Sequence, residues 1–140
     1  MDTVSHVLKG FTPVREHGKA TTLKIKNHQA MACMTTGVGN RDDIDILIAA
    51  MNVAEALIIV SSLGEEYLSD ISAAQNAIVT MAQRGVVKDK FLFTGPELTA
   101  MNLGMEIHDA QLDACTIGQL EKALEFVARE IRAKRARAIA

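Results

Sequence analysis

The chain has 140 residues, a formal net charge of −2, 49% hydrophobic residues and 4% aromatics, with no Trp. That length suffices for one domain with a real core. The apolar content and a mean hydropathy of +0.13 exclude an intrinsically disordered chain. With so few rings, the core must be built from Ala, Ile, Leu, Val and Met.

Charge is unevenly spread. Residues 1–39 carry +3, residues 40–113 carry −8 and residues 114–140 carry +3. An acidic body is not built to hold a polyanion, and an acidic middle with basic ends favours head-to-tail contacts within or between chains.

Residues 1–21 contain Gly10, Pro13 and Gly18 among scattered apolar positions and read as an arm or loop. Residues 22–36 form a short helix with a loose stripe of Leu23, His28, Ala30, Met31 and Met34, stopped by Gly37-Val-Gly39.

Asn40 is a natural N-cap, and Asp42 and Asp43 suit the first turn of the helix it opens. That helix runs to about Ser62. It is apolar on almost every side from Ile44 to Val60, yet carries Asn52 and Glu55 one turn apart. A carboxylate in such a run needs partners, a shifted pKa, or a second chain or ligand to face.

Glu65 and Glu66 open a helix over 65–84, with Leu68, Ile71, Ala74, Ile78 and Met81 at helical spacing and Gly85 as its stop. Residues 86–93 are the one stretch of strand-like composition and are read as a short extended segment or hairpin, or as a stretch packed flat over the bundle. Thr94 then caps a helix with Pro96 near its first position, running to about Ala114. Thr116 to Gln119 has the form of a capping box. The last helix, 117–135, buries Leu120, Leu124, Val127 and Ile131, and residues 129–140 are a basic, fraying tail. The fold class is therefore mainly α: an antiparallel bundle of four long helices plus a short N-terminal one, in a single domain.

On the helix 96–114, Leu98, Met101, Met105, His108 and Leu112 follow a core seam, so His108 lies on the apolar stripe. Asn102, Glu106, Asp109 and Asp113 form a polar stripe, read first as a solvated face and otherwise as a carboxylate groove for a cation or basic partner. His108 has three readings. It is a core histidine satisfied by a backbone carbonyl or by Glu55, a polar residue at a subunit interface, or a catalytic or metal-binding group.

Metal and cofactor motifs fail. Glu106-Ile107-His108 is one residue short of Glu-x-x-His, and HExxH is absent. His6, His17 and His28 have no ligand-spaced partners. Gly37-Val-Gly39-Asn does not complete a dinucleotide loop, and the P-loop and nucleophile-elbow patterns are missing. Cys33 and Cys115 form neither a CxxC pair nor a disulfide framework, and Cys115 reads as structural. No catalytic residue, metal or cofactor is expected. Arg129, Arg132, Lys134, Arg135 and Arg137 are the dense basic cluster. They suit a helix C-terminus, and they are the candidates for nucleic-acid contact.

The strings GVGNRDDIDILIAAMNVAEAL (37–57), FTGPELTAMNLGMEIHDAQLDACT (93–116) and AREIRAKRARA (128–138) resemble small helical proteins of proteobacterial genomes, prophages and mobile elements. The resemblance covers about two thirds of the chain and implies a bacterial cytoplasmic accessory protein. Its polar features match Asn52, Glu55, His108, Asp109 and Gln111, and it transfers no catalytic residue.

The N-terminal stretch lacks the apolar region of a signal peptide, and the run 44–60 is read as too short and interrupted to span a bilayer. The expectation is a soluble cytoplasmic protein that forms a homo-oligomer and binds a further protein. The first alternative is a small-molecule or nucleotide module whose inter-helix pocket is lined by Asn52, Glu55 and His108. The second is nucleic-acid binding through the basic tail.

Overall fold

The computed structural model describes the backbone of residues 14–139 and the side chains of residues 18–135. The fold is mainly α. Five long helices carry it: α1 (Val14–Thr35), α2 (Arg41–Ser61), α3 (Leu68–Lys88), α4 (Gly95–Ala114) and α5 (Ile117–Ile139), with a 3-10 turn at Glu65–Tyr67. There is no strand among the described residues.

Three helix starts are fixed by local chemistry. The Asn40 side chain accepts from the Asp43 N–H at 3.1 Å, and the Asp43 carboxylate accepts from the Asn40 N–H at 3.0 Å. Thr94 and Glu97 make the same reciprocal box at the start of α4, with Pro96 in its first turn. Thr116 and Gln119 repeat it for α5. Each box satisfies two orphan N–H groups that would otherwise cost stability at a helix end. The far end of α2 closes with Ser62 in the left-handed region, φ 56. The Ser62 N–H donates to the Ile58 carbonyl and the Leu63 N–H to the Leu57 carbonyl, the Schellman pattern.

α2 is the centre of the fold. It packs against each of the other four helices and links two apolar clusters. The larger joins α1, α2, α3 and α4 through Met34, Leu47, Met51, Ile71, Ile78, Met81 and Met101. The smaller seats α5 through Val53, Leu57, Leu112, Leu120 and Ala123. The six methionines between Met31 and Met105 are all buried, as expected of flexible gap-fillers in a core short of rings. Gly104 lets α4 approach closely, because a Cβ there would stand 2.7 Å from Ala74 Cβ and 2.8 Å from Met51 Sδ.

Several expectations are corrected. α1 is not short: it begins at Val14, so residues 14–21 are helical rather than an arm, while residues 1–13 lie outside the described residues. Gly85 does not stop α3. It is buried within the helix, which runs on to Lys88 and ends at Asp89 in the left-handed region. The missing side chain at Gly85 makes room for the Phe91 ring. Residues 86–88 are thus helical and 89–94 an irregular link, its Phe91 and Phe93 packed onto the core. At the start of α3 and along α5 the seam is thinner than the spacing suggests, for Leu68 and Ile131 are exposed.

Candidate functional site

The five candidate residues Asn52, Glu55, His108, Asp109 and Gln111 do not converge. They fall into three separate environments.

The first is walled in. His108 is 2% exposed and Gln111 4%. Gln111 Nε2 donates to the Ala54 carbonyl at 3.0 Å and to the Leu63 carbonyl at 2.9 Å. Its oxygen therefore faces the imidazole, and His108 Nδ1, 3.0 Å away, must carry the proton and donate. Burial pushes the His108 pKa below its ordinary value, against the opposing pull of the Gln111 bond and the Asp109 charge. His108 is thus a neutral core histidine. Its bonding partner is Gln111, one turn along its own helix, and not Glu55 or a backbone carbonyl.

The second environment is the polar stripe of α4. It is neither a bare solvated face nor an open groove at Asp109 and Asp113, because α1 brings cationic and imidazole side chains to it. Lys24 Nζ donates to Asp113 Oδ1 at 2.7 Å, and His28 Nε2 lies 2.6 Å from Asp109 Oδ2. Lys24 and His28 stand one turn apart on α1, as Asp109 and Asp113 do on α4. Asp113 holds the Lys24 ammonium above its ordinary pKa through that hydrogen bond. His28 thus has a partner that its own neighbourhood in the sequence did not signal. Asp109 Oδ1 is buried without a hydrogen bond.

The third environment is an open strip on α2. Arg41, Asp45, Ile48, Asn52, Glu55 and Ile59 follow one another at alternating four- and three-residue steps, which places them on one face. Arg41, Asp45 and Ile59 are exposed, and Ile48, Asn52 and Glu55 half-buried. An 18-residue window of this helix has a mean hydropathy of 2.0, and only half of that window is buried inside the fold. By length and composition alone α2 could cross a membrane, contrary to the expectation from the sequence, and it packs against the other four long helices. Gln75 of α3 reaches across to donate to Asn52 Oδ1 at 3.2 Å. On α3, Gln75, Val79, Ala82 and Val86 run alongside, with Val79 and Val86 exposed. At one end of the strip, Arg41, Ile44, Asp45, Ile48, Ala82, Val86 and Phe91 line a groove of about 330 Å³. Among the described residues, neither Arg41 nor Glu55 has an ion pair.

A further apolar cavity of about 290 Å³ lies between the 3-10 turn and α4, lined by Leu63, Tyr67, Leu103, Ile107 and Gln111 among others. Asn52, Glu55 and His108 line neither this cavity nor the groove beside Arg41. Of the five candidates Gln111 lines the cavity, and its amide hydrogens are already engaged.

Arg84 shows what a fully engaged charge looks like here. It donates to Glu97 Oε2 at 3.0 Å, to Glu97 Oε1 at 2.5 Å and to the Leu92 carbonyl at 2.8 Å. The guanidinium holds the Glu97 carboxyl down at about 2, with partial burial opposing and the Thr94 N–H assisting. This clamp ties the irregular 89–94 link to both flanking helices.

The basic candidates Arg129, Arg132, Lys134 and Arg135 are exposed on α5, whose helix runs through Arg137. The side chain of Arg137 lies outside the described residues. No group of three or more His, Cys, Asp or Glu among the described residues is placed to hold a metal. Cys115 Sγ lies 3.7 Å from the Leu112 carbonyl.

Sequence reasoning missed Gln75, Gln111 as the hub of its contacts, and the α1 partners of the α4 carboxylates. Only spacing could have found the last: two polar side chains one turn apart on each helix are a matched pair of pairs. No protein-family model matches the chain, and neither a curated protein nor a solved structure is significantly similar to it.

Proposed function

We propose that the chain is a small bacterial accessory protein that acts by protein–protein contact and assembles with copies of itself. The observation that carries this is the open strip of α2. The most apolar helix of the chain touches every other long helix and still leaves Ile48, Asn52, Glu55 and Ile59 facing outward beside Val79 and Val86. Apolar side chains contiguous on two neighbouring helices, around a central Asn52–Gln75 hydrogen bond, are the features of a surface meant to be covered.

The reading includes a single domain with an antiparallel course of successive helices, for which the short connections argue. It includes cytoplasmic residence and kinship with the proteobacterial and mobile-element proteins that the sequence resembles. Native mass spectrometry of protein purified under non-denaturing conditions tests it. Multiples of the 15.1 kDa chain support self-assembly, and a strict monomer at micromolar concentration sinks it.

The cavity beside Tyr67 favours one second reading, a small apolar ligand held between the 3-10 turn and α4. Its volume sits at the lower limit of small-molecule sites. A rise in melting temperature with a ligand panel, lost in Leu103→Trp, would support it.

A further inference from the structure

We infer that the second copy docks α2 against α2 about a two-fold axis passing beside Ile48, pairing Arg41 of each copy with Glu55 of the other. This rests on the self-assembly proposed above and assigns its surface, symmetry and register.

The argument begins with the two charges. Arg41 and Glu55 lie seven residues to either side of Ile48, which at the helical rise is roughly 10 Å each way. Fourteen residues make almost four full turns, so both project from the same face as Ile48 and Asn52. Arg41 is exposed and Glu55 half-buried, and neither has an ion pair among the described residues. By contrast, Glu97, Asp109 and Asp113 each have a basic partner on another helix.

A two-fold axis reverses the direction of the partner helix. Residues equally distant from the axis on opposite sides then face each other. With Ile48 at the axis, Arg41 meets Glu55 twice, once at each end. Asp45 falls opposite Met51, which is buried, so no like charges oppose across the crossing. A register centred two residues further along would set Asp45 against Glu55, a like-charge juxtaposition that disfavours it.

The flanking surface fits. Ile48 and Ile59 on α2, with Val79 and Val86 on α3, supply exposed or half-buried apolar side chains on both sides of the crossing. The groove near Arg41 lies at the end of the strip where the second copy's Glu55 would arrive. The shallow crossing typical of helical bundles keeps side chains as long as Arg and Glu within reach of one another.

Charge reversal makes the pairing falsifiable. In Arg41→Glu, both contacts become carboxylate against carboxylate; in Glu55→Arg, both become cation against cation. Each variant alone should dimerise at least tenfold more weakly than the native chain in sedimentation equilibrium. An equimolar mixture of the two restores both attractive pairs and should recover the dimer, as should the double variant R41E/E55R. Circular dichroism melts establish that each variant is folded, and the exposed control Glu121→Arg should leave association unchanged. A native dimer that neither reversal weakens, or weakened variants that the mixture does not rescue, overturns this register and leaves self-assembly standing. A native chain that stays monomeric to hundreds of micromolar overturns both.

Discussion

The middle of α2 and the end of α4 each set polar side chains into an apolar helix, with opposite results. In α4, His108 and Gln111 are enclosed, and every hydrogen of the Gln111 amide is spent on a carbonyl of the α2 segment or the turn beyond it. In α2, Asn52 has one bond to Gln75, and Glu55 has no side-chain bond among the described residues. Burial depth decides the difference. A polar group nine-tenths enclosed must be satisfied or the fold loses stability, whereas a half-buried one can wait for a partner from outside. Two similar sequence patterns thus give a tie within the molecule in one place and an open strip in the other.

The sharpest way to break this contrast is to crowd the enclosed side. Gly104→Val should cost about 3 kcal/mol, because Ala74 and Met51 leave no room for a side chain; urea unfolding followed by circular dichroism reads it. Next, Gln111→Ala strands the His108 donor and the Leu63 carbonyl together and should cost about 2 kcal/mol. A loss under half of that would mean solvent replaces the amide and the site is not enclosed.

Two effects of pH follow, both destabilising on the acid side but in separate windows. The His108 pKa is lowered in the folded state, so the unfolded chain takes up the proton first. Its contribution is complete above pH 6.5, the ordinary histidine value, and falls as the pH drops below it. His108→Leu should flatten the stability profile between pH 7 and 5. Glu97 titrates at about 2 when folded, against an ordinary 4.5. The stability from its Arg84 pair is full above about pH 4.5 and drains away as the pH falls toward 2, a slope that Glu97→Gln should remove. The smallest effect belongs to the open strip. Glu55→Gln should change unfolding by less than about 0.5 kcal/mol at the lowest protein concentration that circular dichroism can follow. A cost like that of Gln111→Ala would erase the distinction between the two regions.

What could be seen in the sequence was local. Asn40, Thr94–Glu97 and Thr116–Gln119 act within four residues, and their capping boxes form as their spacing requires. The stripe from Leu98 to Leu112 placed His108 inside, since periodicity alone sets which face a residue occupies. Several of the misjudged features depend on contacts that local spacing does not show. Gly85 looked like a stop because its neighbour Phe91 is invisible until the link folds back. Residues 86–88 continue α3 as helix despite a strand-like composition, although Val86 and Val87 are exposed. Glu55 and His108 were plausible partners only while the rotation of α4 relative to α2 was unknown, and Asp109 found His28 across 81 residues of sequence.

The bond from Gln111 to the Leu63 carbonyl has a consequence in time. The turn after α2 is held partly by a side chain that stands 48 residues later in the chain. At ordinary rates of synthesis, that separation is about 2–10 s. Through that interval the corner joining α2 and α3 lacks one of its hydrogen-bond donors. The corner is therefore complete only once α4 has been made and packs beside it.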